Sequence, residues 1–386
     1  MKRFPLVILS IVLILLVALW PRPGITNSGK ASVEWLSAQD AEISDGFVRV
    51  TDPKTLKFPQ DLGPHNEYQT EWWYYTGNLE TDSGRELGYQ LTFFRRALTP
   101  EAALVEDVSE WRSNQIYFSH FTISDIENQK FYPHERFSRQ SAQLSGAQAE
   151  PYRVWLENWS ATEIEPGKVH LVAEADDVAL DLILDETLPP VLQGDRGYSK
   201  KGPEPGNASY YYSIVQQQAK GKVTVADEAF EVSGLTWKDH EYSTSALSPG
   251  TVGWDWFSLQ LDDGSALMLY GLRLENGEIA DVSAGKYVSA DGKTQTIDHT
   301  DWQIDVLDTW RSPTSKAVYP AQWHIEIPKL DLVLDGKSRM ANQELSFART
   351  YWEGAVGFEG ILADQPISAK GYVEMTGYAD RLDSVL

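Results

Sequence analysis

The chain has 386 residues, 42% of them apolar, with 14 Trp, 18 Tyr, 13 Phe, no Cys and a formal net charge of -23. That acidity argues against nucleic acid as a partner, because phosphate backbones attract Lys/Arg patches and no dense basic run occurs beyond the N-terminus. Without cysteine there is no thiol catalysis, thiolate metal site or disulfide, so an exported chain of this length must rely on its own cores, and two domains are expected.

In chain order, residues 1–20 read as a targeting segment. Lys2 and Arg3 give a positive start, Leu6 to Trp20 is aliphatic apart from Ser10, and Pro21-Arg22-Pro23-Gly24 stops any helix. The pattern fits a cleaved signal peptide or an uncleaved anchor of residues 4–20 in the inner membrane. Either places the body in the periplasm or another extracytoplasmic space, with membrane contact only through this segment. Residues 21–45 form a polar connector. Pro53, Pro59 and Pro64 make the next stretch an irregular lead-in.

From Glu67 onward the chain reads as β. Leu87–Phe94, Ile116–Ile123 and Lys168–Ala173 alternate or are rich in β-branched and aromatic residues, with turn signals at Asp82-Ser83-Gly84, Glu165-Pro166-Gly167, Asp263-Gly264, Asn276-Gly277 and Asp291-Gly292. Short helices are expected over 98–111 and near 134–146. The densest run of breakers, 193–206, places an interdomain linker at 196–209, between an N-terminal domain of 46–195 and a C-terminal domain of 210–386. A faint repeat spans this division: Trp72-Trp73-Tyr74-Tyr75, a turn at Asp82-Ser83-Gly84 and Leu87 resemble Trp254-Asp255-Trp256-Phe257, Asp263-Gly264 and Leu267. Meandering strands of this kind close on themselves to remove exposed edges, and small barrels commonly hold an apolar ligand.

Two stretches combine aromatic rings with acids. In Glu71-Trp72-Trp73-Tyr74-Tyr75 an extended chain puts Trp72 and Tyr74 on one face and Glu71, Trp73 and Tyr75 on the other. One face belongs in a ligand cavity or both form an aromatic plug, and alternation alone does not say which points inward. In Trp237-Lys238-Asp239-His240-Glu241-Tyr242, Trp237, Asp239 and Glu241 project together, with Lys238, His240 and Tyr242 opposite. A carboxyl group among rings loses solvation of its charged form and stays protonated near neutrality, which makes Asp239 the first candidate for a general acid. Asp255, between Trp254 and Trp256, is the second. The seven His show no HExxH or other close ligand spacing, so no metal is assigned; Asp239, His240 and His120 would be the least poor ligands. No GxSxG elbow and no phosphate-cradling glycine loop is present, and no cofactor is expected.

These residues, together with Ser119-His120-Phe121, Gly197-Tyr198-Ser199-Lys200 and Ser209-Tyr210-Tyr211-Tyr212-Ser213, resemble the AttH and carotenoid 1,2-hydratase superfamily over about residues 47–380. The resemblance implies an all-β protein of two consecutive lipocalin-like antiparallel barrels. In the hydratase branch it implies addition of water to an isolated alkene of an isoprenoid, with the acid carried over to Asp239 and its aromatic flank to Trp237 and Trp254. His240-Glu241 beside that acid, and the export signal, bring this chain nearer to the secreted branch whose members are labelled predicted hydrolases.

The expected function is therefore binding of a lipid- or isoprenoid-like molecule, with acid-assisted hydration, isomerisation or hydrolysis; the alternative is a non-catalytic carrier or envelope chaperone, working alongside an envelope transport system. Catalytic candidates are Asp239, His240, Glu241, Glu71 and Asp255. Ligand-binding candidates are Trp72, Trp73, Tyr74, His120, Trp237, Tyr242, Trp254 and Trp256.

Overall fold

A computed structural model describes residues 46–103, 113–244 and 247–381, and they are almost entirely β. The targeting segment, the connector and residues 104–111 of the first expected helix lie outside the described residues. None of the described helices is long and apolar enough to cross a membrane.

The strands form two antiparallel sheets, one of 13 strands and one of 10, and both are wound the same way. In the first, the opening strand Thr70–Thr81 lies between its hairpin partner Glu86–Ala97 and the last strand, Glu228–Ser243. The last strand pairs in turn with Ala208–Val225, which pairs with Val178–Glu186. In the second, the opening strand Thr251–Leu261 lies between Ala266–Leu274 and the last strand Gln365–Met375, which pairs with Thr350–Leu362. Pairing the first strand with the last curls each sheet around its own core. Trp73, Tyr75, Phe93, Trp159 and Leu182 lie in the first core, and Phe257, Trp323, Trp352 and Phe358 in the second. Each such side chain contributes about 1.5–3 kcal/mol by leaving water. Both opening hairpins turn on a glycine with positive φ, Gly84 at +84° and Gly264 at +86°, where a Cβ would be strained. The faint repeat thus marks the same structural place in each sheet.

The outer faces of the two sheets pack on one another. Tyr74, Tyr211, Trp237, Trp256, Met268, Tyr270 and Tyr372 share a single buried cluster. Thr70–Thr81 is therefore buried on both sides, which is why its sequence is a continuous aromatic run and not a clean alternation.

Two expectations differ from the structure. Residues 196–209 do not separate the sheets: Tyr198–Lys200 pairs with Ala208–Val225 inside the first sheet, and the chain changes sheet only between Ser243 and Thr251. The Gly/Pro run is the loop that turns the chain back into the same sheet between Lys200 and Ala208. Residues 134–146 hold no helix; Lys130–Arg139 is a strand paired along Gln115–Asp125, and Ser145–Gln148 is another strand. Of 98–111, the described part contains a 3-10 turn at Glu101–Ala103.

Candidate active site between the two sheets

Strand alternation divides the aromatic–acid stretches into two separate sites. The inward-facing set closes one end of the first barrel. Glu71 is fully buried. Its Oε2 accepts from Arg95 Nε at 2.8 Å and from the His65 backbone N–H at 2.9 Å. Its Oε1 lies 2.8 Å from both His65 Nδ1 and His240 Nε2. The other ring nitrogens are occupied too, His65 Nε2 by Asp61 at 3.0 Å and His240 Nδ1 by the Tyr212 hydroxyl at 2.8 Å. Trp73 stacks on His240 and Tyr242 on His65, with ring centres 4.8 and 3.6 Å apart. Burial would raise the Glu71 carboxyl, but the Arg95 charge and the two imidazoles outweigh it and hold it well below the carboxylate range. Burial pulls His240 down to about 4, against the pull of Glu71, so this ring is neutral at pH 7. His65, Glu71 and His240 are a possible metal-ligand group among the described residues. Glu71 already bridges both imidazoles, so an ion would have to break these hydrogen bonds and face Arg95. With its partners so arranged, the cluster is a structural seal.

The outward-facing set meets the second sheet. Tyr74 stands opposite Asp239 across the pair, and Trp72 opposite Glu241. Asp239 is 4% exposed. Its Oδ1 accepts from Ser213 Oγ at 2.5 Å and Trp237 Nε1 at 2.8 Å, and its Oδ2 from the Tyr211 hydroxyl at 2.7 Å. Trp256 Nε1, from the second sheet, donates to the Tyr211 oxygen at 3.2 Å. Burial raises the Asp239 carboxyl more than these donors lower it, and it lies at about 7. Glu241 is paired with Lys201 at 2.7 Å, and the Lys201 ammonium sits 4.4 Å over the Tyr270 ring. His120 joins the sheets as well: its Nδ1 lies 2.6 Å from the Tyr351 hydroxyl and its Nε2 3.3 Å from Glu135 Oε1.

From the second sheet, Trp256 pairs with Glu374, and Glu374 with Glu353. Glu353 is 1% exposed, and neither carboxyl oxygen has a partner in hydrogen-bonding geometry. Burial and then the neighbouring Glu374 push it well above the usual range, against the stabilising pull of the Tyr74 and Tyr351 hydroxyls. Burial, partly offset by Trp254, places Glu374 at about 7, with Asp239 and Glu241 adding to the rise. The Trp256 ring stands edge-on to Tyr74 at 5.2 Å and to Trp237 at 6.2 Å. Three carboxyl groups whose protonated forms burial favours thus lie between the sheets among aromatic rings, the setting in which acid–base chemistry is usually found.

The profile of the AttH-like family matches residues 49–378. The chain belongs to the AttH-like family. The crystal structure of an AttH from Nitrosomonas europaea is 34% identical, with a TM-score of 0.76 over 86% of this chain and all of that one. Kievitone hydratase from Nectria haematococca shares the fold at 16% identity and a TM-score of 0.65, over 88% of this chain and 99% of its own. The dehydratase asqC of Emericella nidulans is 25% identical over 172 residues, which are 43% of this chain and 48% of that enzyme. The chain thus matches about half the length of that relative.

In this AttH-like protein the expected site residues fall into three groups. Asp239, Glu241, Trp72, Tyr74, His120, Trp237, Trp254 and Trp256 lie on the faces between the sheets. Glu71, His240, Trp73 and Tyr242 belong to the barrel seal and face away from Asp239, so the expected assistance of Glu71 and His240 to that acid has no geometric basis. Asp255 faces the inside of the second sheet, where Arg273 Nε at 3.1 Å and the Tyr378 hydroxyl at 3.0 Å hold it. Sequence reasoning missed Glu353 and Glu374. Tyr351-Trp352-Glu353 is itself an aromatic–acid run, and carrying the repeat through to the last strands would have aligned Glu374 with Asp239, since each stands opposite the matching ring of its opening strand.

Proposed function

We propose that this protein adds water to, or removes it from, a carbon–carbon double bond of an isoprenoid- or lipid-like molecule held between its two sheets. The observation that carries the reading is Glu353: a buried carboxyl with no charged partner, raised well above the usual carboxylate range and facing the Tyr74 and Tyr351 hydroxyls, in an aromatic enclosure that holds two further carboxyls. The hydratase and dehydratase among its relatives support the same class of chemistry.

In the hydration direction the alkene π pair takes the Glu353 proton and leaves a tertiary carbocation. The faces of Tyr74, Trp254 and Trp256 stabilise that cation by about 0.5–2 kcal/mol per ring. Water then forms the carbon–oxygen bond and gives its proton to Glu374 or Asp239 as carboxylate, and the net change is addition of one water. Asp239, expected from sequence as the donor, takes the acceptor's place in this scheme, because Ser213, Trp237 and Tyr211 already direct three hydrogen bonds at it. Export through residues 1–20 and cooperation with an envelope transport system are part of the proposal.

The test is turnover of terminally unsaturated isoprenoids in ¹⁸O-labelled water. Product should gain one labelled oxygen, and Glu353→Gln should cut the rate about 10²–10⁴-fold, the usual worth of a general acid, while binding is kept. Binding without turnover in the unmodified protein supports the carrier instead. Unchanged turnover in Glu353→Gln removes Glu353 from the mechanism.

A further inference from the structure

Beneath the Glu71 seal, the interior of the first barrel holds polar groups that the site between the sheets does not use. Lys238 points inward from the strand that carries Asp239 on its other face. It is 1% exposed, and its Nζ has no hydrogen-bond partner in the protein. The ammonium lies 4.1 Å from the Tyr152 ring centre and 5.6 Å from that of Tyr75, whose hydroxyls bond each other at 2.8 Å. Gln217 sits on the adjacent strand, opposite Thr236 and therefore diagonal to Lys238. It is 0% exposed, and both its amide nitrogen and its amide oxygen lack partners.

The wall beside Gln217 is interrupted. Its neighbour on the far side is Glu186, the last residue of Val178–Glu186, and the pairing then shifts to Val191–Leu192 across Pro189-Pro190. The register of Ala208–Val225 slips at the same level, between Ile214 and Gln217. Glu186, opposite Gln217 on the neighbouring strand, keeps part of its surface accessible, whereas Gln217 and Lys238 are buried. An unpaired ammonium and an unpaired primary amide among Leu, Val and Tyr side chains are costly to bury. On neighbouring strands they offer two donors and an acceptor, with the Tyr152 and Tyr75 rings beside Lys238, which suits a small planar group.

We propose that the interior of the first barrel is a second binding site, for a small hydroxy acid or amide whose carbonyl or carboxylate oxygen accepts from Lys238 Nζ and Gln217 Nε2 and whose hydroxyl or N–H donates to Gln217 Oε1. Burial also draws Lys238 down to about 8, against the pull of Glu186 and Glu163, so its amine is partly uncharged in mild base. That makes the site readable without a variant. Formaldehyde condenses with the free amine, water leaves, and cyanoborohydride supplies the hydride that fixes the methylamine.

The full-length folded protein is treated at pH 8 with and without millimolar lactate or acetamide, and the Lys238 peptide is followed by mass spectrometry. Lys238 should be methylated in the folded state, and lactate or acetamide should slow this about tenfold while surface lysines are unaffected. Gln217→Leu should keep the labelling and lose the protection. Labelling only after unfolding would show a sealed interior that holds nothing but water, and labelling that neither compound slows would show a reachable amine without a binding site. Either result overturns the proposal.

Discussion

Asp239→Asn should make the fold less sensitive to alkaline pH. The Asp239 carboxyl moves from an ordinary 3.8 to about 7 on folding, with burial as the largest cause. A carboxyl raised in the folded state gives its full stability below its unfolded value and loses it as pH rises towards the folded one. Each pH unit between the two is worth about 1.4 kcal/mol, so ionising Asp239 costs the fold about 4 kcal/mol in all. Roughly 1.5 of this is already lost at pH 5, leaving about 2–3 kcal/mol to be lost between pH 5 and pH 8. Asparagine cannot ionise and forfeits only that pH-dependent part. Its removal of the charge also eases the proton off Glu374, which acts in the same direction. Urea unfolding of both proteins at pH 5 and pH 8 measures the difference directly. Asn is expected to lie below the native protein at pH 5, because its amide NH2 replaces a carboxyl oxygen that accepts from the Ser213, Trp237 or Tyr211 donors, and to recover about 2–3 kcal/mol relative to it at pH 8. Parallel pH profiles would mean that Asp239 is hydrated or already ionised, and the assignment of a raised carboxyl would fail.

Other outcomes follow from the same geometry. Tyr211→Phe removes a hydrogen bond to the Asp239 anion, so the alkaline-shifted carboxyl should rise further and the acidic limb of a pH–rate profile, where the acceptor loses its proton, should move upward; a limb shifted downward or unmoved would contradict the assignment. Arg95→Met leaves Glu71 buried without its ion partner and should cost about 3–5 kcal/mol in denaturant unfolding at pH 7. Because Glu71 is held below its ordinary value, its contribution is full above the unfolded value of 4.5 and fades as pH falls, so the gap between Arg95→Met and the native protein should narrow in acid.

Much of this molecule was legible because local chemistry and tertiary role agree. The turn glycines, the alternating strands and the split of Trp237, Asp239 and Glu241 from Lys238, His240 and Tyr242 all follow from the two-residue period of a strand. The direction of each face did not follow, since Thr70–Thr81 is aromatic on both sides and only the second sheet decides that Trp72 and Tyr74 face outward. The Gly/Pro run at 193–206 misled for a related reason: breakers mark turns, and whether a turn ends a domain depends on where the following strand pairs. Glu353 and Glu374 were invisible as a pair because more than a hundred residues separate them from Asp239, and what joins them is the packing of the two sheets.

The most direct test of the account is native mass spectrometry, with extraction of bound compounds, on protein purified from the cells that make it. A hydrophobic molecule of one chemical class should co-purify and be lost on Trp256→Ala, whose ring contacts Tyr74 and Trp237 and whose Nε1 bonds Tyr211. Protein that carries nothing, and afterwards binds no isoprenoid or fatty acid, would contradict it and leave the rings between the sheets as packing alone.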